Sequence, residues 1–309
     1  MKFVVESWDP TYGTPVEVSQ LDTASESVDL EVEFAEDKWK PVTPKKAKTQ
    51  PESVVFIDGV RRFDAHVWLT DDAKNYRGVC ATVAAGSVRS TTTEAVIETT
   101  LVERAIHTSA EIIEPLHLAN LGETYKVKPT QDDSSESLNM SVHSHMSRLE
   151  DLVSQDYEKE ELVVFDGPLN QRDVSGGVGY VKTQHVQYLS DELLSCIPQL
   201  GDGQRTPIFR IEGRFDRWSW FLRLPNPGGP QASGIVRLEL PTDNIDKIKD
   251  AKKRADLISV IIPRYASESF KESRAPQNLY PISGLERQLR WRLGDRDILE
   301  RGLRVSSLA

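Results

Sequence analysis

Two short stretches constrain this chain more than its composition does: VVFIDG at 54–59 and VVFDG at 163–167. Each is a run of apolar, strand-favouring residues, then one carboxylate, then glycine. Such a run reads as a buried strand, which places Asp58 and Asp166 where each strand is expected to end. Adjacent strand ends in an α/β sheet bring side chains together at the rim, where loops leave room for a ligand. Two carboxylates held close repel unless they share a proton or a cation. Oxygen-rich sites of that kind suit Mg²⁺ or Mn²⁺. A third carboxylate is expected from Glu150, on a helix just before the Asp166 strand, with Asp151 beside it as an alternative. Divalent ions held this way can activate water for phosphodiester hydrolysis. Read singly, each Asp-Gly also fits a strand-to-turn cap.

Composition limits the partners. Against 38 Lys and Arg stand 48 Asp and Glu, a net charge of −10 over 309 residues. Bulk charge therefore does not draw nucleic acid to this chain, and any contact must come from local patches. Cys80 and Cys196 sit far apart in apolar surroundings and read as two reduced core thiols. No apolar run reaches the roughly 20 residues of a membrane helix, and no signal-peptide pattern follows Met1. A cytoplasmic protein is expected. No GxxxxGK[ST] pattern occurs, so ATP hydrolysis by a P-loop is not expected of this chain.

Residues 1–50 are acidic and end in a Pro/Lys-rich stretch; they read as an arm or cap with a linker, before a domain over 51–309. Strands are expected at 53–57, 63–70, 78–88, 95–106, 161–167, 206–213, 217–224, 234–240 and 257–263. Helices are expected at 144–157, 185–197, 244–257 and 281–295, the last with Pro281 in its first turn and Gly294 at its end. The segment 129–139 reads as a solvated loop, and PNPGGP at 225–230 as a hairpin-like connection. The pattern predicts an α/β domain built on a mixed sheet flanked by helices.

FIDGVRR, AAGSV, RLEDL with LVVFDGPL, GGVGYVKTQHVQYL and RAPQNLYPISGLERQLRWRLGD, in this order over residues 53–295, together resemble the NurA nuclease family. The resemblance implies an RNase H-like (PIWI-like) core in a homodimer, and Mn²⁺-dependent cleavage of the single-strand endonuclease and 5′–3′ exonuclease type. It also implies a hexameric HerA-type ATPase that drives DNA through the complex, in end processing or antiphage defence. The family's metal-binding carboxylates carry over onto Asp58, Glu150 and Asp166. A Tyr and, eight residues on, a His often lie near the metal in this family; Tyr280 matches the first, but Gln288 stands in the place of the second. Glutamine can hydrogen-bond phosphate or water but supplies no imidazole.

Phosphate contacts are expected from Arg61 and Arg62, directly behind the first aspartate, from Lys182, and from Arg287 and Arg290 in the last predicted helix. Arg287 and Arg290 also read as partners of acids such as Glu286 and Asp295 on a solvated helix. Trp218 and Trp220 share one face of a strand, as core or interface residues or as a stacking surface for bases. His143 and His145 read as a solvated pair, and His185 has no assigned role. The residues leave three readings open: a DNA nuclease, a catalytically weak adaptor that guides DNA to the ATPase, and an RNase H-like enzyme acting on RNA or a hybrid.

Overall fold

The structure is a computed structural model that describes residues 26–70, 74–111, 114–157, 161–169, 177–183, 186–213, 215–225, 234–242, 248–272 and 274–307, with the backbone alone at 2–5, 22–23 and 71. In chain order these form strands β1 (Lys2–Val5), β2 (Asp22–Thr23), β3 (Ser27–Asp29), β4 (Val54–Asp71), β5 (Lys74–Ser90), β6 (Ala95–Thr108), β7 (Leu116–Leu118) and β8 (Glu123–Pro129). Helix α1 (Ser135–Ser154) follows, then β9 (Val163–Asp166), β10 (Gly177–Val181), β11 (Val186–Gln187) and α2 (Asp191–Leu194). The chain continues through β12 (Phe209–Glu212), β13 (Arg217–Arg223), β14 (Ile235–Pro241), α3 (Ile248–Ile261), α4 (Tyr280–Arg292) and α5 (Arg296–Ser307).

One large, mostly antiparallel sheet runs β3-β12-β13-β14-β10-β9-β4-β5-β6-β8-β7, with β1 added to β4. Within it, β9 lies parallel to both β4 and β10. The mixed α/β architecture agrees with the sequence reading. Alternation along β4 explains the layers: Val54, Phe56 and Val60 pack with Ile258, Leu279, Ile282, Leu285 and Leu289 of the α3–α4 side. Val55 and Ile57 pack on the other side with Leu138, Val142, Leu149 and Val153 of α1. Trp218 and Trp220 belong to the first of these cores, and Trp220 Nε1 donates to Ser259 Oγ at 3.0 Å. Cys80 and Cys196 are both buried free thiols.

Several local expectations are corrected. The strands read at 53–57 and 63–70 are one 18-residue strand, because β5 pairs along its whole length and offers Asp58-Gly59 no turn to make. The segment 129–139 is not all loop. Helix α1 starts at Ser135, with Ser134 Oγ accepting from Ser137 N, an N-cap that satisfies an otherwise orphaned donor. The expected strand 257–263 is the end of α3 and a 3₁₀ turn, Ile262–Tyr265. Its Ile-Ser-Val-Ile-Ile run has strand propensity, but Ala251, Ala255, Ile258 and Ile261 bury one helical stripe, and packing overrides propensity. The helix expected at 185–197 shrinks to α2. His185, most of the 225–230 turn and residues 244–247 lie outside the described residues.

Residues 26–50, read as arm and linker, join the sheet through β3 on β12. They are also held by a buried ion network. Arg205, 0% exposed, donates through Nη1 and Nη2 to Glu33 at 2.7 and 3.0 Å and through Nε to Asp256 at 2.9 Å. Lys252 adds a second cation 3.0 Å from Glu33.

His143 and His145 lie inside α1 rather than beside it, and His145 is buried, not solvated. Its Nε2 is 2.9 Å from Glu103 Oε2. Its ring is 5.5 Å from that of His107 on β6, whose Nδ1 meets Ser141 Oγ at 2.8 Å. Burial, with the charges of His145 and Lys128, lowers the His107 pKa to about 3. The unfolded chain therefore binds this proton more readily, and stability is expected to fall with acid below the ordinary histidine value near 6.5. The slope from this group is about 1.4 kcal/mol per pH unit. Urea titrations of wild type and His107→Asn at pH 7 and pH 5 check this; equal pH dependence in both proteins contradicts it.

Candidate active site

Strands β4 and β9 run parallel and in register from Val55↔Val163 to Ile57↔Phe165. The next position sets Asp58 beside Asp166, on strands about 4.8 Å apart. Only β9 ends there. Asp58 lies inside β4, which corrects the expected strand end, and beyond it β4 has no strand neighbour on that edge among the described residues until β1 joins at Val67. On the opposite edge Asp58 pairs with Gly86 of β5. A side chain there would meet Leu289 and Leu285 of α4 at 3.2 and 3.3 Å. The glycine lets α4 rest on the strand, which gives Asp58 the α4 side of the sheet.

Gly59 turns to the other side. A Cβ added to it would lie 2.5 Å from Glu150 Oε1 and 2.8 Å from Met146 Cγ. The absent side chain is what admits the Glu150 carboxylate, itself 2% exposed, to the strand. Asp58 thus has Asp166 beside it on β9, and Glu150 reaches the next residue of β4, Gly59, from α1.

Lys182, two residues past Tyr180 at the end of β10, puts its Nζ 2.6 Å from Asp166 Oδ2 and donates to Asn278 Oδ1 at 2.8 Å. Burial, then the charges of Asp166, Glu150 and Glu286, push the Asp58 carboxyl well above the carboxylate range, with Lys182 acting against them. Burial also raises Asp166, while Lys182 pulls it down by charge and hydrogen bond. A buried, mutually repelling carboxylate group with one ammonium is chemically a site for additional positive charge.

The donor set suits a hard divalent ion in its chemistry: carboxylate oxygens only, from side-by-side aspartates. Its geometry is less complete. Among the described residues no three His, Cys, Asp or Glu side chains converge closely enough to share a metal ion. Alternation along β4 explains this, since Asp58 and Gly59 face opposite sides of the sheet and Glu150 meets the glycine. The two aspartates fit a shared cation; Glu150 stands next to them.

Other expected site residues are placed as follows. Tyr280 gives its hydroxyl to Glu268 Oε2 at 2.9 Å, and Gln288 is exposed on α4. Arg62 is engaged structurally: Nη1 and Nη2 donate to the carbonyls of Gly294 and Leu293 at 2.6 and 3.1 Å, and Nε to Asp64 at 2.8 Å. It therefore pins the end of α4 to β4. Arg61 and Arg287 are exposed. Arg290 pairs with Glu286 at 2.7 Å, the solvated-helix alternative.

Sequence reasoning missed Asn278 and Arg274, and read Glu286 only as a partner for the helix arginines. Arg274 Nη2 bonds Glu286 Oε2 at 2.6 Å, and its charge is among those that lower Asp166. A signal was available for Glu286: it falls on the helical stripe of Ile282 and Leu289, where a carboxylate is out of place unless used.

No protein-family model matches the chain, and no curated protein sequence matches it. Among solved structures, the crystal structure of the NurA nuclease from Sulfolobus solfataricus is similar to this chain. The two share 10% identity and a TM-score of 0.43, with 82% of this chain and 84% of that chain covered. Among the described residues no helix is long and apolar enough to cross a membrane.

Proposed function

We propose that this chain is a metal-dependent deoxyribonuclease with an RNase H-like core. The observation that carries the reading is the pair Asp58 and Asp166, side by side on parallel strands, the first buried and the second half-buried, with the Asp58 carboxyl raised by burial and then by the charges of Asp166 and Glu150. Strand order supports the fold assignment. A three-strand antiparallel meander (β4, β5, β6) leads through α1 into β9, which adds parallel to the first strand, and β10 then adds to β9. The five motifs resembling the NurA family extend the reading to a homodimer that works with a hexameric HerA-type ATPase on DNA ends.

In this reading Asp58 and Asp166 hold Mn²⁺ or Mg²⁺, with Glu150 as the adjoining third carboxylate. The ion, when bound, supplies charge stabilisation to the cleaved phosphodiester and an activated water. Lys182 neutralises Asp166 and is placed to receive a phosphate oxygen once that pairing loosens. Asn278 keeps the ammonium in position, and Arg274 adds a second cation at the same edge. A weakly active adaptor is the second reading, favoured by Gln288 in the usual histidine place.

The test is cleavage of labelled single-stranded and duplex DNA, RNA and hybrid with Mn²⁺, Mg²⁺ or chelator, with and without the cognate ATPase. Metal-dependent DNA cleavage lost in Asp166→Asn supports the nuclease. No cleavage under any condition, with DNA-dependent docking on the ATPase intact, makes the chain an adaptor. A second substitution probes Glu150 through its neighbour. Gly59→Ala drives a methyl into the Glu150 carboxylate and is expected to lower the cleavage rate at least about tenfold, against an overpacking cost of about 1–3 kcal/mol. Full activity in a folded Gly59→Ala protein would detach Glu150 from the chemistry.

A further inference from the structure

The segment between α3 and α4, residues 266–279, carries a feature that the carboxylate site does not use. Phe270 is 78% exposed, the most exposed of the large apolar side chains described. Single exposed apolar residues are ordinary on protein surfaces, but this ring has company. Lys271 Nζ lies 5.0 Å from the Phe270 ring centroid and 5.3 Å from that of Tyr280. Glu268 fixes the group: it accepts from the Tyr280 hydroxyl at 2.9 Å and pairs with Lys271 at 3.1 Å.

The segment is also tied to the carboxylates. Asn278 holds Lys182, which holds Asp166. The Tyr180 hydroxyl donates to the Gln277 carbonyl at 2.6 Å, and Arg274 bonds Glu286 at 2.6 Å. The Ser283 hydroxyl on α4 donates to Glu272 Oε2 at 2.5 Å. An aromatic ring displayed on a segment anchored in this way loses little freedom when something stacks on it. Beside it sits a cation, on a chain whose net charge of −10 otherwise repels a polyanion. Ring plus cation is the combination that holds unpaired bases and their phosphates without reading sequence.

We infer that Phe270 and Lys271 form a nucleobase subsite, in which an unpaired base stacks on the Phe270 ring and its phosphate meets Lys271, feeding one strand toward Asp58 and Asp166. The inference rests on the nuclease reading for the fate of that strand and deepens it by naming a place on the chain that holds an unpaired strand or a frayed end. A duplex keeps its bases stacked on each other and gains nothing from the ring.

Binding without cleavage tests it. Fluorescence anisotropy of the full chain in chelator is measured with an oligothymidylate, an abasic strand of equal length and a duplex. Wild type should favour the oligothymidylate over the abasic strand. Phe270→Ala should weaken oligothymidylate binding about tenfold, within the range of one stacked base, and leave the abasic strand unchanged. Phe270→Trp should retain binding, and Lys271→Ala should weaken both strands alike. Equal affinity of wild type for the abasic strand and the oligothymidylate, or an unchanged Phe270→Ala, overturns the subsite even if the protein cleaves DNA. Phe270-dependent binding by a protein that cleaves no nucleic acid, whichever metal is supplied, keeps the subsite and ends the nuclease reading instead.

Discussion

Asp58→Ala is expected to remove metal-dependent cleavage almost entirely, by about three orders of magnitude in rate. A divalent ion at a phosphoryl centre contributes several kcal/mol of charge stabilisation, and each 1.36 kcal/mol is a factor of about ten. Asp58 is the residue to remove because its surroundings leave no substitute. Gly86 faces it across one strand pair, and its other neighbour, Asp166, already answers to Lys182. The fold should survive. Burial and like charges hold the Asp58 carboxyl in an unfavourable state, so its loss relieves repulsion and leaves a gap at a helix–strand contact already formed by leucines. Cleavage at wild-type rate by a purified, folded Asp58→Ala protein would place the chemistry elsewhere in the chain.

Arg205→Ala is expected to be the most damaging single change to stability, costing about 3–5 kcal/mol, because removing one partner strands buried charge. Glu33 would keep Lys252 and the Ile208 N–H but lose its guanidinium, and Asp256 would lose both of its bonds to it. Urea unfolding monitored by the buried tryptophans reads the loss. The triple change Arg205→Met with Glu33→Gln and Asp256→Asn should recover much of it, since it removes the charges together. A loss under about 1 kcal/mol for the single variant would mean that water reaches the network.

The adjacency of the two aspartates was legible in the residues themselves. Two apolar runs, each followed by aspartate, read as adjacent strands, which β4 and β9 are, and α1, which precedes the second run, carries Glu150. The helix expected at 281–295 is α4, Tyr280–Arg292, with Pro281 in its first turn and Gly294 (φ +79°) just past its end; α5 beyond it was not expected. What stayed hidden depends on distant partners. Asp58-Gly59 carries a turn signal, yet the glycine serves the approach of α1 within a straight strand. The tail of α3 looks like a strand until the stripe it buries is known. Arg62 looked like a phosphate ligand because the carbonyls it binds lie 231 and 232 residues away. The Arg205–Glu33 pair spans 172 residues, and nothing near either residue announces it.

The two glycines around Asp58 have one more consequence. Gly59 opens the strand toward α1 and Gly86 opens its neighbour toward α4, so here the layers close in on bare backbone instead of interleaving side chains. At Gly86 an added methyl would meet the Thr99 carbonyl at 2.7 Å, a collision no rotamer relieves. Both positions therefore tolerate added side-chain volume poorly, and a displacement of either helix is felt directly at the backbone that carries Asp58.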